Sequence, residues 1–235
     1  MRGYAICTAP RSGSNWLCQL LTSTGVLGRP LEYFNGPARR ELDDPSFPDD
    51  PRQQLDRVFT QGATANGVYG LKLFAQQRRQ IEPTVDLLRD LPNVSFVFLR
   101  RRDVLGQAIS WAKALQTLRY RSTQPQRGQA AYSFDAIAER LRSLDQEYAD
   151  WAAYFGRHPI RPLEVYYEDM LVAPQSVVDK IAKLVGVNES AIVRPTLIDL
   201  EVQRDEATEE WRRRFFADQR RRSGSTLWRR LLRRR

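Results

Sequence analysis

The chain has 235 residues and a mass of 27.2 kDa, enough for one domain with a sizeable buried core. Hydrophobic residues make up 42% and charged residues 28%, which excludes a disordered chain, and no apolar run approaches the roughly 18 residues of a membrane span. The N-terminus, Met1 to Cys7, turns polar too soon for a signal peptide, so a cytoplasmic protein is the expectation.

The net charge of +9 is concentrated at one end. Residues 220–235 hold eight arginines and no acid, so the rest of the chain is close to neutral. That pattern describes a basic tail on a neutral body and does not favour a nucleic-acid partner. Cys7 and Cys18 form neither a CxxC pair nor a disulfide framework and read as reduced, buried small hydrophobes.

In chain order, residues 3–9 are apolar and β-prone and predict a buried strand. Pro10 to Ser14 is turn chemistry, and Trp16, Leu17, Leu20 and Leu21 then recur at helical spacing. Residues 35–66, rich in Pro, Asp, Gly and Arg, predict an irregular segment with one short helix near Gln54–Phe59. Val68–Phe74 reads as a second strand, Gln80–Leu91 as a helix and Val94–Leu99 as a third strand. A helix over Val104–Leu118 follows, with Asp103 as its N-cap. Ser133 or Asp135 opens a long helix to about Tyr154, and Leu163–Tyr167 is a fourth strand. Ala173–Val185 is a helix stopped by Gly186, and a last helix covers Glu206–Phe216. Strands alternating with helices predict an α/β fold: a central parallel sheet flanked by helices, in one domain over 1–218. The Arg-rich stretch 219–235 reads as a flexible C-terminal tail. A basic amphipathic helix at an anionic membrane surface or acidic partner is its alternative reading.

The segment Thr8 to Trp16 joins a buried strand to a helix N-terminus, where backbone N–H groups and the helix dipole make an anion site. Gly13 permits an unusual backbone, Ser12 and Ser14 add donors, and Arg11 adds a fixed positive charge. A plain strand-to-helix turn with a capping serine fits the same residues equally well. The loop lacks the Gly-Lys pair of GxxxxGK[ST], which argues against a magnesium-dependent nucleotide or sugar kinase.

Pro10 to Trp16 resembles the 5′-phosphosulfate loop of sulfotransferases that use PAPS (3′-phosphoadenosine 5′-phosphosulfate), with Arg11 where many have lysine. Gly28 to Phe34, Gly70 to Lys72, Leu99 to Asp103, Gln107 to Trp111 and Gln116-Thr117 are similar to one branch, the Stf0-type bacterial sulfotransferases. The likeness extends to Trp151, Phe155 and Gln203–Phe215 and covers about residues 3–216.

The resemblance implies a P-loop nucleoside-triphosphate-hydrolase-like sulfotransferase fold. It implies transfer of the sulfuryl group of PAPS, released as PAP, to a hydroxyl of a carbohydrate or glycolipid acceptor such as trehalose. It also implies a homodimer. Arg11, Ser12, Gly13, Ser14, Asn15 and Trp16 would hold the donor, with Trp16 stacking on adenine or, equally, lying in the core. Arg101 and Ser110 would hold the 3′-phosphate, with Arg102 the competitor for Arg101's place. Glu32 would be the general base and Lys72 the cation that stabilises charge on the sulfuryl oxygens. No metal is required, since arginine and lysine neutralise the donor.

Glu32 could instead be a surface carboxylate, and Lys72 a strand-end lysine in water. A lysine inside a central strand is costly unless it has a partner. The chain's one histidine, His158, lies in a Gly-Arg-His-Pro connector far from the loop in sequence. Tyr167-Glu168-Asp169 reads as structural, capping a following helix. The rival functions are the kinase and a non-enzymatic nucleic-acid binder acting through the tail.

Overall fold

A computed structural model describes residues 1–42, 44–120, 123–199 and 206–232, with 206–207 and 223–232 described by backbone alone. In chain order it contains β1 (Arg2–Thr8), α1 (Ser14–Ser23), α2 (Gly36–Leu42), α3 (Pro51–Thr60), β2 (Val68–Phe74), α4 (Ala75–Ile81) and α5 (Leu87–Asp90). Then follow β3 (Val94–Arg100), α6 (Val104–Thr117), α7 (Phe134–Arg157), β4 (Leu163–Tyr166), α8 (Tyr167–Val172), α9 (Pro174–Val185) and α10 (Glu206–Leu232). A one-turn 3-10 helix at Pro195–Leu197 precedes α10. Residues 203–205, part of the family-like stretch at the end, and 233–235 of the tail lie outside the described residues.

Two compact units divide the chain: Met1–Arg102 with Leu144–Leu200, and Asp103–Ser143 with Glu201–Arg235. The first contains the sheet, a four-stranded parallel sheet in the order β2-β1-β3-β4. Strand alternation divides its side chains between two cores. Ala5, Cys7, Tyr69, Leu71, Leu73, Phe96 and Phe98 pack on one face with Trp151, Tyr154 and Phe155 of α7. Tyr4, Ile6, Val68, Val97 and Leu99 pack on the other with α1 and α9. Cys7 and Cys18 are buried free thiols, as their isolation in sequence implies. The strand order reverses direction at β1 and β3, which makes the carboxyl ends of these two strands a topological switch point.

The second unit is helical. The Asp103 side chain caps α6 by accepting from the Gly106 N–H at 2.9 Å and takes both ends of the Arg212 guanidinium, at 3.0 and 2.7 Å. Phe134 stacks on Phe215 at 4.7 Å, Tyr132 meets Trp211 edge-on, and Lys113 sits over Trp211.

Three elements of the first unit differ from expectation, and in the second α10 runs to Leu232, past the helix end expected at Phe216 and into the stretch expected as a tail. The helix expected over Gln80–Leu91 is two, α4 and α5. Pro83 has no N–H to carry the first helix on, and Asp86 caps the second by accepting from the Leu88 and Arg89 N–H groups. Residues 35–66 hold two helices rather than one, α2 and α3. The third is α8, whose N-cap, Tyr166, provides no side-chain cap. The carboxylates of Glu168 and Asp169 do not cap it; they hold Arg102 instead.

Candidate active site

The loop after β1 turns sharply into the N-terminus of α1. Arg11 and Gly13 both take left-handed backbone, at φ 63° and 83°. Gly13 is the N-cap of α1, and no side chain caps that helix, contrary to the capping-serine alternative. The first-turn N–H groups of this ten-residue helix have no side-chain cap, and the positive end of its dipole lies at the loop. A Cβ on Gly13 would lie 2.3 Å from the Tyr167 ring, so both space and φ require glycine here.

Ser12 is fully buried, its hydroxyl 2.7 Å from Thr8 Oγ1, which lies 2.8 Å from the Leu99 carbonyl oxygen. A carbonyl only accepts, so Thr8 donates to Leu99 and Ser12 donates to Thr8. The loop is thus tied across β1 to β3. Trp151 Nε1 donates to the Thr8 carbonyl at 3.0 Å and anchors the same strand end from α7. Ser14 is buried, and Trp16 is half-buried against the core on the α1 face.

The segment before Glu32 runs alongside β2. Leu31 pairs with Leu71, and the Lys72 N–H donates to the Leu31 carbonyl at 2.9 Å. That approach depends on Gly28, at φ 71°, where a Cβ would lie 2.8 Å from the Gly70 nitrogen. Tyr33 and Phe34 are buried in the core, and Glu32 turns to the lysine.

Lys72 is only 2% exposed, which excludes the solvated strand-end reading. It shares a face of β2 with Val68, the face that α1 covers, and this explains its partners. Its Nζ lies 2.6 Å from Glu32 Oε1 and donates to Asn15 Oδ1 on α1 at 2.5 Å. One ammonium bridges the candidate base and the first turn of α1. Glu32 Oε2 accepts from Asn35 Nδ2 at 2.8 Å and from Gln77 Nε2 at 3.3 Å. Burial alone would push the Glu32 carboxyl up. The adjacent Lys72 charge and the hydrogen bonds from Lys72, Asn35 and Gln77 outweigh it and hold the group at about 2.

Asn35 and Gln77 escaped the reading of the sequence. Gln77 had a signal: it stands at the third position of α4, where a Gln reaches back to the helix entrance. Its Oε1 does so, accepting from the Phe74 N–H at 2.9 Å. Glu147 was missed too. It reaches from α7 to accept from the Ala75 and Gln76 N–H groups at 2.7 and 3.1 Å. Burial pushes its carboxyl up despite these two donors.

The arginines after β3 differ in their engagements. The Arg102 guanidinium takes Asp169 at both ends, 2.7 and 3.0 Å, and lies 4.2 Å from the Tyr166 ring. Arg101 lies 4.7 Å from the ring of Tyr167, the residue packed on Gly13. Ser110 stands on α6, half-buried, in the second unit. His158 is exposed against Tyr154 at the end of α7. Among the described residues no group of three or more His, Cys, Asp or Glu could hold a metal ion, and no helix is long and apolar enough to cross a membrane.

The Stf0 sulphotransferase family profile matches residues 3–218. The chain belongs to the Stf0 sulfotransferase family. Trehalose 2-sulfotransferase of Mycobacterium tuberculosis is 29% identical to this sulfotransferase over 258 aligned positions, covering 93% of the chain and 96% of its own length. The trehalose 2-sulfotransferase of Mycolicibacterium smegmatis is 28% identical, covering 92% and 94%. Among solved structures, the sulfotransferase domain of the Synechococcus PCC 7002 olefin synthase superposes with a TM-score of 0.46 at 16% identity, over 90% of this chain and 86% of that one. A sulfotransferase from Alicyclobacillus acidocaldarius gives 0.48 at 17%, over 93% and 92%.

Proposed function

We propose that this Stf0 sulfotransferase takes its sulfuryl group from PAPS and delivers it to a hydroxyl of a small carbohydrate or glycolipid. The observation that carries the reading is the bridge from Glu32 through Lys72 to Asn15. It sets a carboxylate, an ammonium and a helix N-terminus within a few ångströms at the carboxyl edge of the sheet. Two trehalose 2-sulfotransferases among the relatives support a sugar-sized acceptor.

In this reading the α1 N-terminus, Arg11 and the loop N–H groups bind the 5′-phosphosulfate. Arg101 binds the 3′-phosphate, the role the family likeness gives it, and the guanidinium of Arg102 is held by Asp169. Ser110 keeps the phosphate role that the family likeness gives it, with its own alanine variant as the test. An ammonium has three donors, and among the described residues two of those on Lys72 are used, leaving one for a sulfuryl oxygen. The acceptor oxygen attacks sulfur as its proton passes to Glu32. The bond from sulfur to the bridging oxygen breaks, and its electron pair leaves with PAP. As Lys72 turns from Glu32 toward the sulfuryl oxygens, the carboxylate becomes the stronger base that this proton transfer needs.

Binding of PAP to the native site alone stabilises the fold by mass action. Thermal shifts should therefore be larger for PAP than for ATP with magnesium, which lacks the 3′-phosphate. Labelled PAPS offered with a panel of sugars, glycolipids and simple alcohols should label a sugar. Equal shifts with PAP and ATP, or label on none of the sugars, would overturn this reading.

A further inference from the structure

The carboxylate of Glu32 is more fully engaged than a base alone requires. It offers about four acceptor sites, two on each oxygen. Asn35 and Gln77 occupy both sites on Oε2, and Lys72 occupies one on Oε1. Among the described residues this leaves one site, on Oε1, beside the Lys72 ammonium.

The Gln77 amide has no freedom to do otherwise. Its Oε1 accepts from the Phe74 N–H, so its Nε2 must be the atom that faces Glu32. Glu147 takes the next two N–H groups of α4, Ala75 and Gln76, and so holds the turn from which Gln77 projects. A chain of contacts thus runs from α7 through the entrance of α4 to the far oxygen of Glu32.

We infer that Gln77 is a positioning residue which, with Asn35, fills Oε2 of Glu32 and directs the acceptor hydroxyl to Oε1. The attacking oxygen is then delivered next to Lys72, the cation that also serves the sulfuryl group. The inference rests on Glu32 acting as the base.

Gln77→Glu separates positioning from mere support. A glutamate still accepts from the Phe74 N–H, so the entrance of α4 survives. It can no longer donate to Glu32, and it sets a second negative charge against that carboxylate. The variant should keep its PAP-induced shift, while the added like charge lowers its melting temperature at neutral pH and less so in acid. Its kcat should fall by roughly tenfold or more, a share of the about 10²–10⁴-fold that a general base contributes. The acid limb of its pH–kcat profile should lie at higher pH than in the wild type, since a lost donor and an added like charge both favour protonated Glu32.

Asn35→Asp, which keeps the acceptor for the Ala38 N–H but loses the donor to Oε2, should move the limb the same way. Gln77→Met loses both functions and should lower stability as well. Wild-type kcat and an unmoved acid limb in both Gln77→Glu and Asn35→Asp, alongside an inactive Glu32→Gln, would overturn this inference alone. Normal turnover in Glu32→Gln would overturn the base on which it rests.

Discussion

Two cation–carboxylate pairs stand at the carboxyl edge of the same sheet at nearly equal distance and in different surroundings. Lys72 and Glu32 meet at 2.6 Å with side chains 2% and 19% exposed, whereas Arg102 and Asp169 meet at 2.7 Å with side chains 51% and 49% exposed. Distance therefore says little about what each pair does. In the buried pair each charge depends on the other, because water cannot take its place when a partner is removed. In the surface pair water and salt screen both ions, and such contacts contribute about 0–1 kcal/mol. The contrast divides the edge into a corner where two charges are held out of water and one where the pair ties Arg102 to Asp169 in water's reach.

The largest effect should come from breaking the buried pair. Lys72→Met strands the Glu32 carboxylate in a poorly solvated place and should cost about 3–5 kcal/mol of unfolding free energy in denaturant titrations. It should also change the acid dependence of stability. In the wild type Glu32 sits at about 2, below the usual carboxylate value of about 4.3. The unfolded chain thus binds the proton more readily, and the contribution of the pair is complete above about pH 4.3 and lost as pH falls toward 2. Lys72→Met should flatten that slope, and an unchanged slope would mean that the lysine does not hold the carboxylate down.

The middle effect sharpens the choice between arginines. Arg101→Ala should weaken PAP binding by about 1.5–3 kcal/mol, the usual loss for a hydrogen bond to a charged group, and should spare the analogue without the 3′-phosphate. The smallest effect belongs to Arg102→Ala, which should change stability by less than about 1 kcal/mol and leave the PAP preference intact. Selective loss in Arg102→Ala instead would move the phosphate contact one residue along the chain.

Much of this architecture could be read from residues alone, where local signals agreed. The four strands follow from short apolar runs, and the Asp103 cap and the Gly186 stop are chemical signals at single positions. The parallel sheet follows from their alternation with helices. What escaped depends on contacts distant in sequence. Ser12 looks like a free donor in the loop, but its hydroxyl is tied to Thr8, which is tied in turn to Leu99 on β3. Asn35 and Glu147 lie in segments whose composition suggests only an irregular loop and the face of a helix. Their roles come from the crossing of β2, α4 and α7, which no window of sequence displays. Lys72 falls between these cases: its cost inside a strand demanded a partner, and the structure supplies two.

The central claim is that Glu32 accepts the proton of the attacking hydroxyl. Glu32→Gln keeps the size of the side chain and an acceptor for Lys72 while removing the base, so the decisive measurement is its kcat beside its PAP-induced thermal shift. The expected result is a fall in kcat of about 10²–10⁴-fold, as for loss of a general base, with the thermal shift unchanged because other residues hold the nucleotide. Near-normal turnover with an intact PAP shift would contradict the claim.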